Sequence, residues 1–137
     1  MVTPQRINDM LAQHWPASRC TCIEVSKEHA IASLIPAATD LRPGGYISGP
    51  MQFAAADAAL WFLCFGASER IEPLALTSEL SIRFLRPALG QTIFARANLN
   101  KASKRSVIGT VTVWTDANEM HSATAQGTYI LPQTKNS

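Results

Sequence analysis

Charged side chains are scarce in this sequence. Asp, Glu, Lys and Arg make up 16% of its 137 residues, against about 25% in an ordinary globular chain. The formal net charge is only +2, too weak a field to gather nucleic acid or an anionic membrane surface, so neither is expected as a partner. So few charges also imply a surface partly covered by something, most simply further copies of the chain. Cysteine is limited to Cys20, Cys22 and Cys64, which form no disulfide framework and lack metal-ligand spacing. Cys20 and Cys22, two apart on an expected strand, share a face and read as core packing rather than redox chemistry. His14, His29 and His121 are scattered without an i,i+4 pair; none is assigned to catalysis or metal binding, and no cofactor is expected. The longest apolar run, about 15 residues broken by Asp57, is shorter than the roughly 20 a membrane span needs. Residues 1–15 carry one arginine and no apolar core segment, so no signal peptide is expected and the cytoplasm is the expected compartment. With no repeat, low-complexity tract or linker, a single domain over residues 1–137 is expected, large enough to bury about 68% of its unfolded surface.

What is present divides cleanly into elements. Thr3-Pro4 opens a short helix with Ile7, Met10, Leu11 and Trp15 on one apolar face, and Pro16 ends it. Residues 19–25 and 30–35 read as strands around a polar turn, and residues 36–48 as a loop carrying Pro43-Gly44-Gly45. A long helix spans residues 50–66. Four strands follow, over residues 76–85, 92–101, 106–115 and 119–131. Leu80, Ile82 and Phe84 alternate with Ser81 and Arg83, and Ile93, Ala95, Ala97 and Leu99 with Arg96, Asn98 and Asn100. Short breaks between these strands predict a meander of consecutive hairpins. The long helix is too apolar for a surface, so the sheet must wrap it. The expected class is α+β: a curved antiparallel sheet of about six strands around one central helix, with a small leading helix. Trp61 and Phe65 on the central helix read as core or interface residues.

Asp57 stands alone in that helix, with no other charge between Arg42 and Glu69. A carboxylate among such neighbours is costly unless paired, hydrogen-bonded or used. The helix starts at Ser48-Gly49-Pro50. Proline suits the first turn, where its missing N–H would be an orphan anyway, and Ser48 or Gly49 can cap. The Gly49 N–H and the following free amides, with the helix dipole, could stabilise a carbonyl becoming an oxyanion. Asp57 lies eight residues beyond Gly49, about 12 Å along a helix. One substrate carbonyl cannot touch both within a single chain. If both serve one reaction, two antiparallel helices across a two-fold axis must supply them, and the active unit is at least a homodimer.

The ordered set Gly49-Pro50-x6-Asp57, Leu76-Thr-Ser-Glu-Leu-Ser-Ile-Arg-Phe-Leu-Arg-Pro-Ala88 and Ala123-x-Ala-Gln-Gly-Thr-Tyr129 resembles the hot-dog-fold acyl-CoA thioesterases, in particular their phenylacetate-degradation (PaaI-like) branch. The resemblance covers about residues 41–131. It implies a hot-dog fold, hydrolysis of a small or medium acyl- or aryl-CoA thioester, and a site built between two chains of a homodimer, often within a homotetramer. Matched by position, Gly49 would polarise the thioester carbonyl, Asp57 would be base or nucleophile, and Thr77, with Ser78 beside it, would hold the attacking water. The chain departs from the family pattern in three places. Ser48 replaces the usual histidine, Pro50 replaces a second glycine, and Arg42 stands where some members place a water-orienting amide. An arginine there would suit a substrate carboxylate or phosphate. Lys104 and Arg105, on an expected hairpin turn, are the candidates for the phosphates of coenzyme A, which enters as part of the substrate.

Each of these residues also has a plainer reading. Asp57 could sit where its helix face reaches solvent, Gly49-Pro50 could be simple helix initiation, and Thr77 and Ser78 ordinary strand hydroxyls. Arg83, Arg86, Arg96, Lys101, Lys104 and Arg105 could form a solvated strand face. The alternative function is a non-catalytic acyl-CoA-binding hot-dog protein. Dehydratases and hydratases of the same fold rely on an active-site histidine, which is not found here. A DNA-binding regulator would need more than the short leading helix.

Overall fold

The computed structural model describes residues 1–133. Helix α1, Pro4–His14, is capped by the Thr3 hydroxyl, which accepts from the Arg6 N–H. It buries Ile7, Met10 and Leu11. Strands β1 (Cys20–Val25) and β2 (His29–Leu34) follow, and then a stretch expected to be irregular that contains more order. A single 3₁₀ turn, Ala38–Asp40, leads into a small hairpin of β3 (Leu41–Arg42) and β4 (Tyr46–Ile47). Gly44 and Gly45 close it with φ of 90° and 79°, angles that only glycine adopts cheaply.

Helix α2, Gly49–Ser68, is longer than its apolar run suggests, and with 20 residues it could cross a bilayer by length and composition. Its burial answers that: Ala55, Ala56, Ala59, Leu60, Phe62, Leu63, Cys64 and Phe65 are all enclosed, packed against the inner face of the sheet. Two glycines let the helix come this close. Gly109 and Gly127 face each other on neighbouring strands, and a Cβ on either would lie within about 3.0 Å of Leu60. Burial pushes the Cys22 and Cys64 thiols up to about 12, so both are inert packing groups.

The remaining strands are β5 (Leu76–Phe84), β6 (Ile93–Ala102), β7 (Ser106–Thr115) and β8 (Asn118–Ile130). All six long strands form one antiparallel sheet in the order β1-β2-β6-β7-β8-β5. The expected wrapped sheet is what the chain builds, with one correction. Only β6, β7 and β8 form a meander. β5 does not pair with β6; it crosses to the far edge and pairs with β8. The break at residues 85–92 is therefore a crossover, and its shortness misread as a hairpin. The consequence is that β5 presents a free edge, flanked by apolar side chains left in water: Leu76 is 69% exposed and Phe84 50%.

Candidate active site

Asp57 projects from the middle of α2, part-buried, and it is hydrogen-bonded. Its Oδ1 accepts from the Thr77 hydroxyl at 2.6 Å and from the Tyr129 phenol at 2.8 Å. Short O–H···O⁻ bonds of this kind are the stronger class. Both donors fall on one oxygen, and among the described residues Oδ2 receives none. The carboxylate is thus held in one orientation with its second oxygen free.

The two donors come from neighbouring strands and stand directly opposite each other, Thr77 on β5 against Tyr129 on β8. Strict alternation from Leu80, Ile82 and Phe84 would turn Ser78 inward and Thr77 outward. The register slips between Thr77 and Glu79, so Ser78 is the extra residue of a β-bulge. That insertion reverses the parity of the strand and brings Thr77 round to the helix. Ser78 itself makes no hydrogen bond with Asp57 among the described residues; its part is to turn the strand.

Tyr129 is the partner of Asp57 that reading the sequence missed. Its side chain is only 4% exposed. Burial first, and then the Asp57 charge beside it, drive its phenol well above the usual range, so it stays a protonated donor at every physiological pH. The signal was present: Ala123, Ala125, Gly127 and Tyr129 alternate onto one face, and a buried tyrosine needs a partner for its hydroxyl.

Gly49 is the first residue of α2, and its N–H meets no acceptor among the described residues. The Phe84 ring lies over it, with Cζ 3.0 Å from where a Cβ would stand. Ser48 is buried and its hydroxyl accepts from the Met51 N–H at 3.4 Å, so it serves as the helix cap. Its own N–H goes to the Asp40 carbonyl. Arg42 lies exposed on β3 and forms no hydrogen bond or ion pair with Asp57 among the described residues. Lys104 and Arg105 sit at the β6–β7 turn, where Arg70, Ser68 and Ser103 join them around a cavity of about 330 Å³. The sequence did not place Arg70 there.

The histidines have structural settings. His29 bonds Glu24 and Ser26 through its two ring nitrogens, and His121 lies against the Trp114 ring. Among the described residues no group of three His, Cys, Asp or Glu side chains could hold a metal ion. Phe65 is core, as expected. Trp61 is only partly so: one side packs on Phe62 and Phe65, the other borders an open cavity beside Asp57.

The family profile described as thioesterase superfamily matches residues 44–120, a span that includes Gly49, Asp57 and Thr77. Among solved structures, a Silicibacter protein provisionally described as a thioesterase shares 25% identity over 97% of this chain and 94% of its own, with a TM-score of 0.83. The PaaI protein of the E. coli phenylacetic acid degradation operon shares 21% over 94% of this chain and 88% of its own, with a TM-score of 0.73. Zebrafish thioesterase superfamily member 2 shares 16% over 96% and 100%, with a TM-score of 0.78. At the lower two identities the likeness is one of fold. No curated protein sequence matches significantly.

Proposed function

The chain belongs to the thioesterase superfamily and has its hot-dog fold, and on that footing we propose that it hydrolyses an acyl-CoA thioester in a site shared by two copies of the chain. One observation carries this reading: two hydroxyls hold Oδ1 of a lone helix carboxylate, leaving Oδ2 unengaged. An unengaged oxygen can take a proton from water as that water adds to the thioester carbonyl, or can add to the carbonyl itself. In both courses negative charge gathers on the carbonyl oxygen, where the free Gly49 N–H of the facing chain would meet it. The C–S bond then breaks and the CoA thiolate departs readily near neutral pH; where Asp57 has itself added, water then hydrolyses the acyl–Asp57 anhydride, releasing the acid and restoring the carboxylate.

The shared site follows from the same helix. Asp57 and Gly49 lie eight residues apart on one continuous helix, about 12 Å, so a single carbonyl reaches both only across two chains. The free β5 edge with its exposed Leu76 and Phe84 is the surface such pairing would cover. Lys104, Arg105 and Arg70 are suited to the phosphates of the coenzyme.

A panel of acyl-CoA thioesters monitored with a thiol-detecting reagent tests the reading. Saturable turnover of at least one ester is expected. Binding without thiol release across the panel would instead establish the non-catalytic binder, which the Ser48 and Arg42 departures favour and the retained Asp57 and Gly49 oppose. Tyr129→Phe deletes one donor and keeps the ring, so kcat is expected to fall by about tenfold or more with KM little changed, the usual cost of a hydrogen bond to a charged group. Steady-state kinetics within twofold of the parent would reduce the phenol to packing.

A further inference from the structure

A cavity of about 280 Å³ has Asp57 in its wall. Its floor is one stripe of α2, with Met51, Ala54, Ala58 and Trp61 along it. Residues 54 and 58, close to the carboxylate on the same helix, are alanine, and their small side chains leave room there. Leu34 and Cys20 close the sheet side.

The outer wall is Trp15, which the sequence pattern assigns to the apolar face of α1. It is instead 53% exposed, and its indole leans on that of Trp61 with ring centres 6.3 Å apart at 60°. Half of a large apolar ring in water contributes little to the core. As a wall beside Asp57 the same ring offers an apolar face to whatever enters.

Charge narrows the occupant. Arg19 is the one cation in the lining, and its guanidinium is held by the Asp40 carboxylate at 2.9 Å and the Ile35 carbonyl at 3.2 Å. Burial raises the Cys20 pKa, so that group is neutral. Asp57 itself would repel an anion. The Trp61 indole N–H, buried there without a partner among the described residues, is a neutral donor, so with Arg19 committed to Asp40 the lining offers no uncommitted countercharge to a carboxylate at the far end of an acyl chain.

We propose that this cavity receives the acyl part of the thioester, admits uncharged apolar groups, and is gated in size by Trp15. The inference rests on the reading that an acyl-CoA is held at Asp57, and it names the substrate class of that site. Trp15, Cys20 and Leu34 lie outside residues 44–120, the span that the superfamily profile matches, so this wall is not part of what the chain shares with the profile.

The test uses thioether analogues, which cannot be hydrolysed, and isothermal titration calorimetry on the full chain. S-hexyl-CoA is expected to bind about tenfold or more tighter than CoA, from burial of the six-carbon chain, whereas S-(3-carboxypropyl)-CoA gains nothing over CoA. Trp15→Ala, at an exposed position, and Ala54→Leu, which fills the cavity from the helix side, should each cut the hexyl advantage by about fivefold or more. An unaltered advantage in both variants, no advantage in the parent chain, or a carboxypropyl analogue bound as well as the hexyl one would overturn the proposal. Absent turnover in the thiol assay would sink the hydrolase reading and leave this result standing.

Discussion

Asp57→Asn is expected to lower thiol release by about a thousandfold or more, the range set by loss of a general base or nucleophile, with the melting temperature held or slightly raised. The two halves of this outcome have separate causes. The amide oxygen of asparagine can still accept from Thr77 and Tyr129, so the contacts at 2.6 and 2.8 Å survive and the helix keeps its tie to β5 and β8. Removing a part-buried charge also lifts a desolvation cost. The Oδ2 position, however, becomes an amide nitrogen that can neither take a proton nor attack. The measurement pairs kinetics on the best ester of the panel with thermal unfolding. Turnover within tenfold of the parent would remove Asp57 from the chemistry, and a collapsed melting temperature would make the carboxylate structural.

Mixing two inactive variants should restore activity, which tests the shared site directly. Gly49→Val places a branched side chain where the carbonyl would approach the free amide. The φ of Gly49 is not positive, so valine is compatible with the backbone, and its Cβ meets only the half-exposed Phe84 ring at 3.0 Å, which can shift. Alone, it is expected to lose about a hundredfold in kcat, as when one oxyanion donor is lost. Combined with Asp57→Asn chains by joint unfolding and refolding, each mixed dimer regains one intact site, made of Asp57 from one chain and Gly49 from the other. Statistical mixing then returns about a quarter of parental activity. If the mixture shows only the sum of its two parents, the site lies within one chain and the dimer argument fails.

Part of this site could be read before any coordinates. A lone acid in an apolar run, eight residues beyond a Gly-Pro helix start, is a local pattern, and local patterns survive folding. Tyr129 was accessible in the same way, since its facing follows from unbroken alternation along β8. Thr77 was not. Its facing depends on one inserted residue at Ser78, and a period of two carries no mark of where a strand slips. The family resemblance pointed to Thr77, whose hydroxyl the fold brings to Asp57, where periodicity alone would have turned it away. Trp15 failed for the opposite reason: its spacing fits the face of α1, yet the helix ends at His14 and the next residue swings toward α2.

Amphipathic spacing, turn residues and the lone charge in the apolar run were enough to dictate the central helix, the antiparallel class and the candidate acid, because each depends on neighbours close along the chain. The place of β5 at the sheet edge, the double grip on Oδ1 and the cavity under Trp15 arose from contacts between distant segments. Asp57 meets Thr77 across 20 positions and Tyr129 across 72. Such meetings are decided by which strands pair and how the helix seats against them, and no local pattern in a linear chain encodes that choice.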